Sequence, residues 1–269
     1  MIMEQEQHLL WNGSAGRAWV EAQNLLERMF APFEPILVQA AGSARHVLDV
    51  GCGTGATTLA LARLPGVERA IGVDISAPMI AVASERTGGA QFVCADAQRH
   101  AFAPGVFDLI VSRFGIMFFD DPVAAFSNLR RAARDDAALC CIAWRAALEN
   151  PFMTTAERAA AALLPGLPPR LPNSPGQFAF ADARHAGSIL GACGWRQVQF
   201  TPQDVACSFP EAELVRYLTL LGPVGLALQH VDAAVRKEVI ATVRAAFAPF
   251  VDGDTVRFTA ACWRIDAAA

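Results

Sequence analysis

The sequence predicts an α/β fold, a Rossmann-like doubly wound sheet, on three observations. Between His46 and Trp144, short aliphatic or β-branched runs alternate with alanine-rich stretches of helical length, the rhythm of parallel strands joined by crossover helices. One strand-like run, Val47-Leu48-Asp49-Val50, leads straight into Gly51-Cys52-Gly53-Thr54-Gly55 and then a helical stretch. Carboxylates recur at three successive strand candidates, as Asp49, Asp74 and Asp96.

Along the chain, Gln5 to Ala40 predicts one or two helices carrying Trp11, Trp19, Leu25, Leu26 and Phe30. Trp11 and Trp19, eight apart, would lie within about 80° on one continuous helix, as a cover over a pocket or as core. Strands are predicted over His46–Val50, Ala70–Asp74, Gln91–Cys94, Phe107–Ser112 and Ala138–Trp144, with helices over Thr57–Arg63, Ala77–Arg86 and Pro122–Ala133. Asp120-Asp121-Pro122 reads as a helix start. Beyond Trp144, Pro165, Pro168, Pro169, Pro172 and Pro175 exclude helix and central strand and mark a loop or insert. Ala181–Ala192, Glu211–Leu221 and Val231–Phe250 read as helices, Gln197–Thr201 and Thr255–Ile265 as strands. The expected division is a helical lid over residues 1–45, a nucleotide-binding core over 46–145, and cap helices with the last two strands over 146–269.

Composition narrows the chemistry. A length of 269 residues suits one large domain or a domain with an insert, and 54% hydrophobic against 18% charged residues supports a packed core. A net charge of −4 gives no general attraction to nucleic acid. Lys237 is the only lysine and Tyr217 the only tyrosine. Phosphate-loop, kinase-like and Tyr-x-x-x-Lys readings therefore lack their central residue. Seven scattered cysteines, an acidic N-terminus and no apolar stretch of about 20 residues point to a soluble protein in a reducing cytoplasm. The chain gives no indication of self-association.

The glycine loop carries the chemical argument. Glycine tolerates positive φ and lets backbone approach a ligand at a helix N-terminus. Gly51-x-Gly53-x-x-Ala56 also satisfies the relaxed dinucleotide fingerprint, so surrounding polarity has to decide. Asp49 would repel a pyrophosphate but accept from an ammonium. Asp74, about twenty residues past the loop, suits ribose hydroxyls. Asp96, with Ala97 and Gln98, suits an adenine amino group. Three acids around one pocket suit a cationic, phosphate-free nucleoside. No pair among the five histidines and no cysteine spacing forms a dyad or metal site, so no catalytic residue and no metal are assigned.

At this point the chain resembles the class I S-adenosylmethionine-dependent methyltransferases, in the small-molecule group. The resemblance covers His46 to Trp144, through Leu48-Asp49-Val50-Gly51-Cys52-Gly53-Thr54-Gly55, Gly72-Val73-Asp74-Ile75-Ser76, Ala95-Asp96-Ala97-Gln98, Phe107-Asp108-Leu109-Ile110 and Ser112-Arg113-Phe114-Gly115-Ile116-Met117-Phe118-Phe119. It implies S-adenosyl-L-methionine as cofactor and a seven-stranded sheet with one antiparallel strand. It implies that Gly51, Gly53 and Gly55, with Cys52 in their turn, line the methionine and ribose part, that Asp49 faces the amino-acid end, and that Asp74 holds the ribose. Ile75 and Met79 would border the adenine, Asp96, Ala97 and Gln98 would meet its edge, and Ser112, Arg113 and Phe114 would close the pocket.

Trp11, Trp19, Met117 and Phe118 are the candidates for the acceptor side. The implied reaction is in-line methyl transfer to a small apolar or aromatic acceptor, needing no metal. A binding protein for the sulfonium nucleoside, or an enzyme that uses it without transferring methyl, is the alternative, and a nicotinamide-dependent oxidoreductase a third. The chain departs from its relatives at Arg134-Asp135-Asp136-Ala137, where a two-aspartate turn is expected in place of Arg-Pro-Gly-Gly.

Overall fold

The computed structural model describes residues 6–171 and 174–269, so Gln5 and Pro172 lie outside the described residues. Four short helices come first: α1 (Glu6–Asn12), α2 (Ser14–Glu21), α3 (Gln23–Phe30) and α4 (Glu34–Ala41). The expected one or two helices are thus broken, at Gly13, at Ala22 and at a 3₁₀ turn, Ala31–Phe33, where Pro32 and Pro35 restart the chain. Leu25, Leu26, Met29, Phe30, Phe33 and Leu37 of this region are buried in the main core, whereas α1 buries no residue.

The central region alternates β1 (His46–Val50), α5 (Ala56–Ala62), β2 (Arg69–Asp74), α6 (Ala77–Glu85), β3 (Gln91–Cys94), β4 (Phe107–Arg113), α7 (Pro122–Ala132) and β5 (Ala133–Trp144). Asp121 caps α7 by accepting from Ala124 N at 2.9 Å, with Pro122 in its first turn. The remaining elements are α8 (Pro151–Ala160), α9 (Ala183–Ala192), β6 (Arg196–Pro210), α10 (Leu214–Leu220), α11 (Gly222–Ala227), α12 (Ala233–Ala246), β7 (Val251–Asp252) and β8 (Thr255–Ala268). Helices α8 and α11 were not predicted; α11 opens on Gly222-Pro223, which reads as a break but supplies an N-terminal proline. The stretch predicted as one helix over Val231–Phe250 ends at Ala246, and a 3₁₀ turn leads into β7.

The sheet runs β3-β2-β1-β4-β5-β8-β6, with β7 paired to β8. All pairs from β3 to β5 are parallel, while β8 is antiparallel to β5, β6 and β7. The seven-stranded path therefore has its single reversed strand at β8, and β7 adds a two-residue eighth. Strand β6 is far longer than Gln197–Thr201, because β8 pairs with it from Arg196↔Ala268 to Pro210↔Thr255. Among the described residues no helix is long and apolar enough to cross a membrane.

The expected turn at Arg134–Ala137 is absent. Strand β5 runs through it as a bulge: β4 advances from Phe107 to Leu109 while β5 advances from Ala133 to Ala138. Asp108 lies opposite the bulge and holds Arg134 at 3.1 Å, so an ion pair anchors the extra residues. At the other end of the strands the order reverses between β1 and β4, which opens a crevice at their carboxyl ends.

Candidate functional site

The glycine loop leaves β1 over the crevice and is pinned to β2, since Gly51 N and Cys52 N both donate to Val73 O, at 2.8 and 3.1 Å. Gly51, Gly53 and Gly55 have φ of 68°, 56° and 87°, a region that other residues enter at a cost of roughly 1–2 kcal/mol. Gly51 also packs backbone to backbone: a Cβ there would sit 2.5 Å from Gly115 Cα at the end of β4. At Gly53 an added Cβ would meet only Met79 Sδ, at 3.7 Å, so this backbone presents an open face to the cavity.

Asp74 ends β2 beneath that loop. Its Oδ2 accepts from Gly53 N at 2.8 Å and its Oδ1 from Ser76 N at 2.9 Å. The carboxylate is thereby fixed in orientation, with lone pairs left for a ligand. Burial raises its pKa, and the N–H groups of Ser76, Gly53 and Ile75 oppose that rise. Asp96, after β3, accepts from Gln98 N at 2.9 Å and from Gln98 Nε2 at 3.1 Å, which sets both polar groups at the same rim.

The N-terminal helices close over this turn. Asn12 donates to Ile75 O at 3.0 Å and accepts from Ala77 N at 2.9 Å, while Ser76 Oγ donates to Trp11 O at 2.7 Å. Trp11 stands edge-on to Trp19 and to Phe118, with centroids 5.8 and 5.0 Å away, and its indole N–H is satisfied by Gln7 Oε1 at 3.1 Å. The two tryptophans meet across the break at Gly13 rather than along one helix. Behind them, Arg86 bridges Glu27 of α3 to Thr54 O of the glycine loop, the latter at 2.9 Å.

At the end of β4, Ser112 Oγ donates to Val50 O at 2.7 Å and accepts from Gly115 N at 3.1 Å. Phe114 adopts φ 67° and stacks on Trp144, with centroids 4.7 Å apart and rings 10° from parallel. A phenylalanine in the left-handed region is strained; the packing of Phe30, Phe33 and Trp144 around its ring holds it there.

One cavity collects most of the predicted residues: Gly51, Gly53, Asp74, Ile75, Met79, Asp96, Ala97, Gln98, Arg113 and Phe114 line it, together with Trp11, Trp19 and Phe118. Five do not reach its wall. Asp49 is 1% exposed and turned to Thr58, whose Oγ1 donates to it at 2.7 Å. Cys52 is buried, with its Sγ close to where a Cβ on Gly72 would lie. Gly55 faces the ring of Phe92, Ser112 is spent on the backbone bonds above, and Met117 is buried with its sulfur 3.4 Å from Trp144 N.

Sequence reasoning overlooked Gln7, Val50, Val73, Ala95 and Gly115 on the wall. Only Gly115 carried a signal, as a glycine two residues past the end of β4. Among the described residues no group of three or more His, Cys, Asp and Glu side chains is placed to hold a metal.

Comparison with known proteins agrees with this arrangement. A family model described as a methyltransferase domain matches residues 48–141. The demethylmenaquinone methyltransferase of Lactiplantibacillus plantarum is 34% identical over 107 residues, which cover 37% of this chain and 45% of that protein. The match therefore spans less than half of that relative's length. Among solved structures, YcgJ of Bacillus subtilis superposes with a TM-score of 0.57 at 17% identity, over 87% of this chain and 97% of that one. Phosphoethanolamine N-methyltransferase 2 of Haemonchus contortus, solved with S-adenosyl-L-methionine, gives 0.51 at 16% identity, over 87% and 51%. With the glycine loop, the Asp74 turn and the reversed strand β8 in place, residues 48–141 match a methyltransferase domain and the whole fold is that of the solved methyltransferase-like structures it superposes on.

Proposed function

We propose that this protein transfers a methyl group from S-adenosylmethionine to a small apolar or aromatic acceptor. The observation that carries the proposal is the single cavity in which the fixed Asp74 carboxylate and the open face of Gly53 lie under Trp11, Trp19 and Phe118. The residues fit the cofactor. Asp74 offers a carboxylate to the ribose hydroxyls, Asp96 and Gln98 offer polar groups to the base, and Ile75, Met79 and Ala97 offer apolar surface between them. Two carboxylates beside the glycine loop are the wrong charge for a pyrophosphate, which argues against a dinucleotide.

When bound, the sulfonium supplies an electrophilic methyl group. Asp74 and the glycine loop hold the nucleoside, and α1 and α2 act as a lid whose tryptophans exclude water and give a flat acceptor its contact surface. The named relative, a demethylmenaquinone methyltransferase, supports a flat acceptor of this kind. The ionisable residues on the cavity wall are Asp74, Asp96 and Arg113, all at the strand tips. The aromatic side thus brings no base among the described residues, and acceleration rests on holding the acceptor in line, an effect worth up to about 7–11 kcal/mol. Residues 46–145 form the nucleoside-binding core and 146–269 complete the sheet and cap it.

The test is incubation with methyl-labelled S-adenosylmethionine and extracted metabolites, which should put label into a small-molecule product. Tight binding of S-adenosylhomocysteine with no label transferred to any fraction would identify a non-transferring binder. Stabilisation by NAD in its place would overturn the proposal.

A further inference from the structure

Arg113 presents a chemistry that the reading above leaves unused. It ends β4, lines the cavity, and its guanidinium lies 6.0 Å from the centroid of the Phe30 ring. A guanidinium carries five N–H donors. Among the described residues its one hydrogen bond to the protein runs from Nη1 to Phe30 O, at 3.2 Å, and no carboxylate of those residues lies within 4.0 Å of it, although Asp49, Glu27 and Glu34 are near enough to favour its charged form. No buried side-chain nitrogen or oxygen among the described residues lacks a partner, so the remaining donors are not sealed inside the protein, and Arg113 is one of the residues that line the cavity. Burial works against the charge and lowers its pKa. A desolvated cation with a fork of free donors and aromatic walls is a receptor for a planar anion.

We propose that Arg113 receives a carboxylate of the bound ligand through its free guanidinium donors. The assignment rests on the proposed methyltransferase reading, under which two ligands can bring a carboxylate to this spot: the amino-acid tail of the cofactor, or an acidic acceptor. The neighbouring Asp49 side chain accepts from Thr58 at 2.7 Å and makes no hydrogen bond to Arg113.

The test compares wild type, Arg113→Met and Arg113→Lys by calorimetry with S-adenosylhomocysteine and with 5′-methylthioadenosine, which shares the nucleoside but lacks the amino-acid tail. If the cofactor supplies the carboxylate, Arg113→Met loses about 10–100-fold in affinity for S-adenosylhomocysteine, the scale of a charged hydrogen bond. Arg113→Lys then loses less, and 5′-methylthioadenosine binds all three alike.

If the acceptor supplies it, both nucleosides bind all three proteins alike. Benzoate or succinate, added with S-adenosylhomocysteine, then raises the melting temperature of wild type and of Arg113→Lys but not of Arg113→Met. Equal loss of both nucleosides in Arg113→Lys, or no response to any carboxylate probe beside unchanged nucleoside affinities, overturns the assignment. Failure of wild type to bind either nucleoside would instead overturn the methyltransferase reading itself.

Discussion

Asp74 and Asp49 show how one residue type does two jobs at neighbouring strand tips. Asp74 reaches the cavity and is oriented by two backbone N–H groups, so Asp74→Ala should weaken S-adenosylhomocysteine binding by about 1–3 kcal/mol in calorimetry. Asp49 is sealed behind the loop, and burial pushes its pKa up to about 6 against the help of Thr58 and Arg113. Because the folded state then holds a proton that the unfolded chain releases near pH 4, stability falls as pH rises from about 4 to 6, by about 3 kcal/mol. Asp49→Asn keeps an acceptor for Thr58, and its melting temperature should lack that decline across the same window. Gly51 gives a third prediction. Gly51→Ala combines a left-handed φ with a 2.5 Å approach to Gly115, whereas Gly89→Ala, at φ 79°, meets open space. Denaturant unfolding should show about 1–2 kcal/mol lost at Gly89 and clearly more at Gly51.

At the scale of elements, the proposed lid depends on how α1 is held. It buries no residue, and Asn12 fastens it to the turn that carries Asp74 through two hydrogen bonds. By contrast α3 is locked down by Leu25, Leu26, Met29 and Phe30. Asn12→Ala should therefore speed S-adenosylhomocysteine release by about 5–30-fold, the equivalent of one or two ordinary hydrogen bonds, with little change in global stability. Stopped-flow tryptophan fluorescence reads the release directly, since Trp11 and Trp19 stand at the cavity. An unchanged release rate would show that α1 is not the lid.

For the whole molecule, the sheet is one continuous core from β3 to β6, with the ligand cavity at its topological switch point. Any ligand that binds only the folded chain raises its stability by mass action, about 2.7 kcal/mol at a hundred times its dissociation constant. For a chain of this size S-adenosylhomocysteine at that excess should shift the melting temperature by roughly 5–10 °C, and NAD by nothing measurable.

The fold class and the positions of the core strands along the chain were legible in the sequence because their causes are local. Aliphatic runs of strand length, a proline after an aspartate at α7, and glycines that alone accept positive φ act within a few residues of one another. The glycine loop and Asp74 were legible for the same reason. What the tertiary structure decided depends on partners distant in the chain. Strand β6 extends to Pro210 only because β8 lies beside it, and Arg134–Ala137 bulges rather than turns because Asp108 faces it across the ladder. Asp49 and Met117 face inward, away from the cavity, because Thr58 and Trp144 meet them there. Strand periodicity gives the alternation of faces, but which face is cavity and which is core is set by packing between segments that the sequence holds far apart.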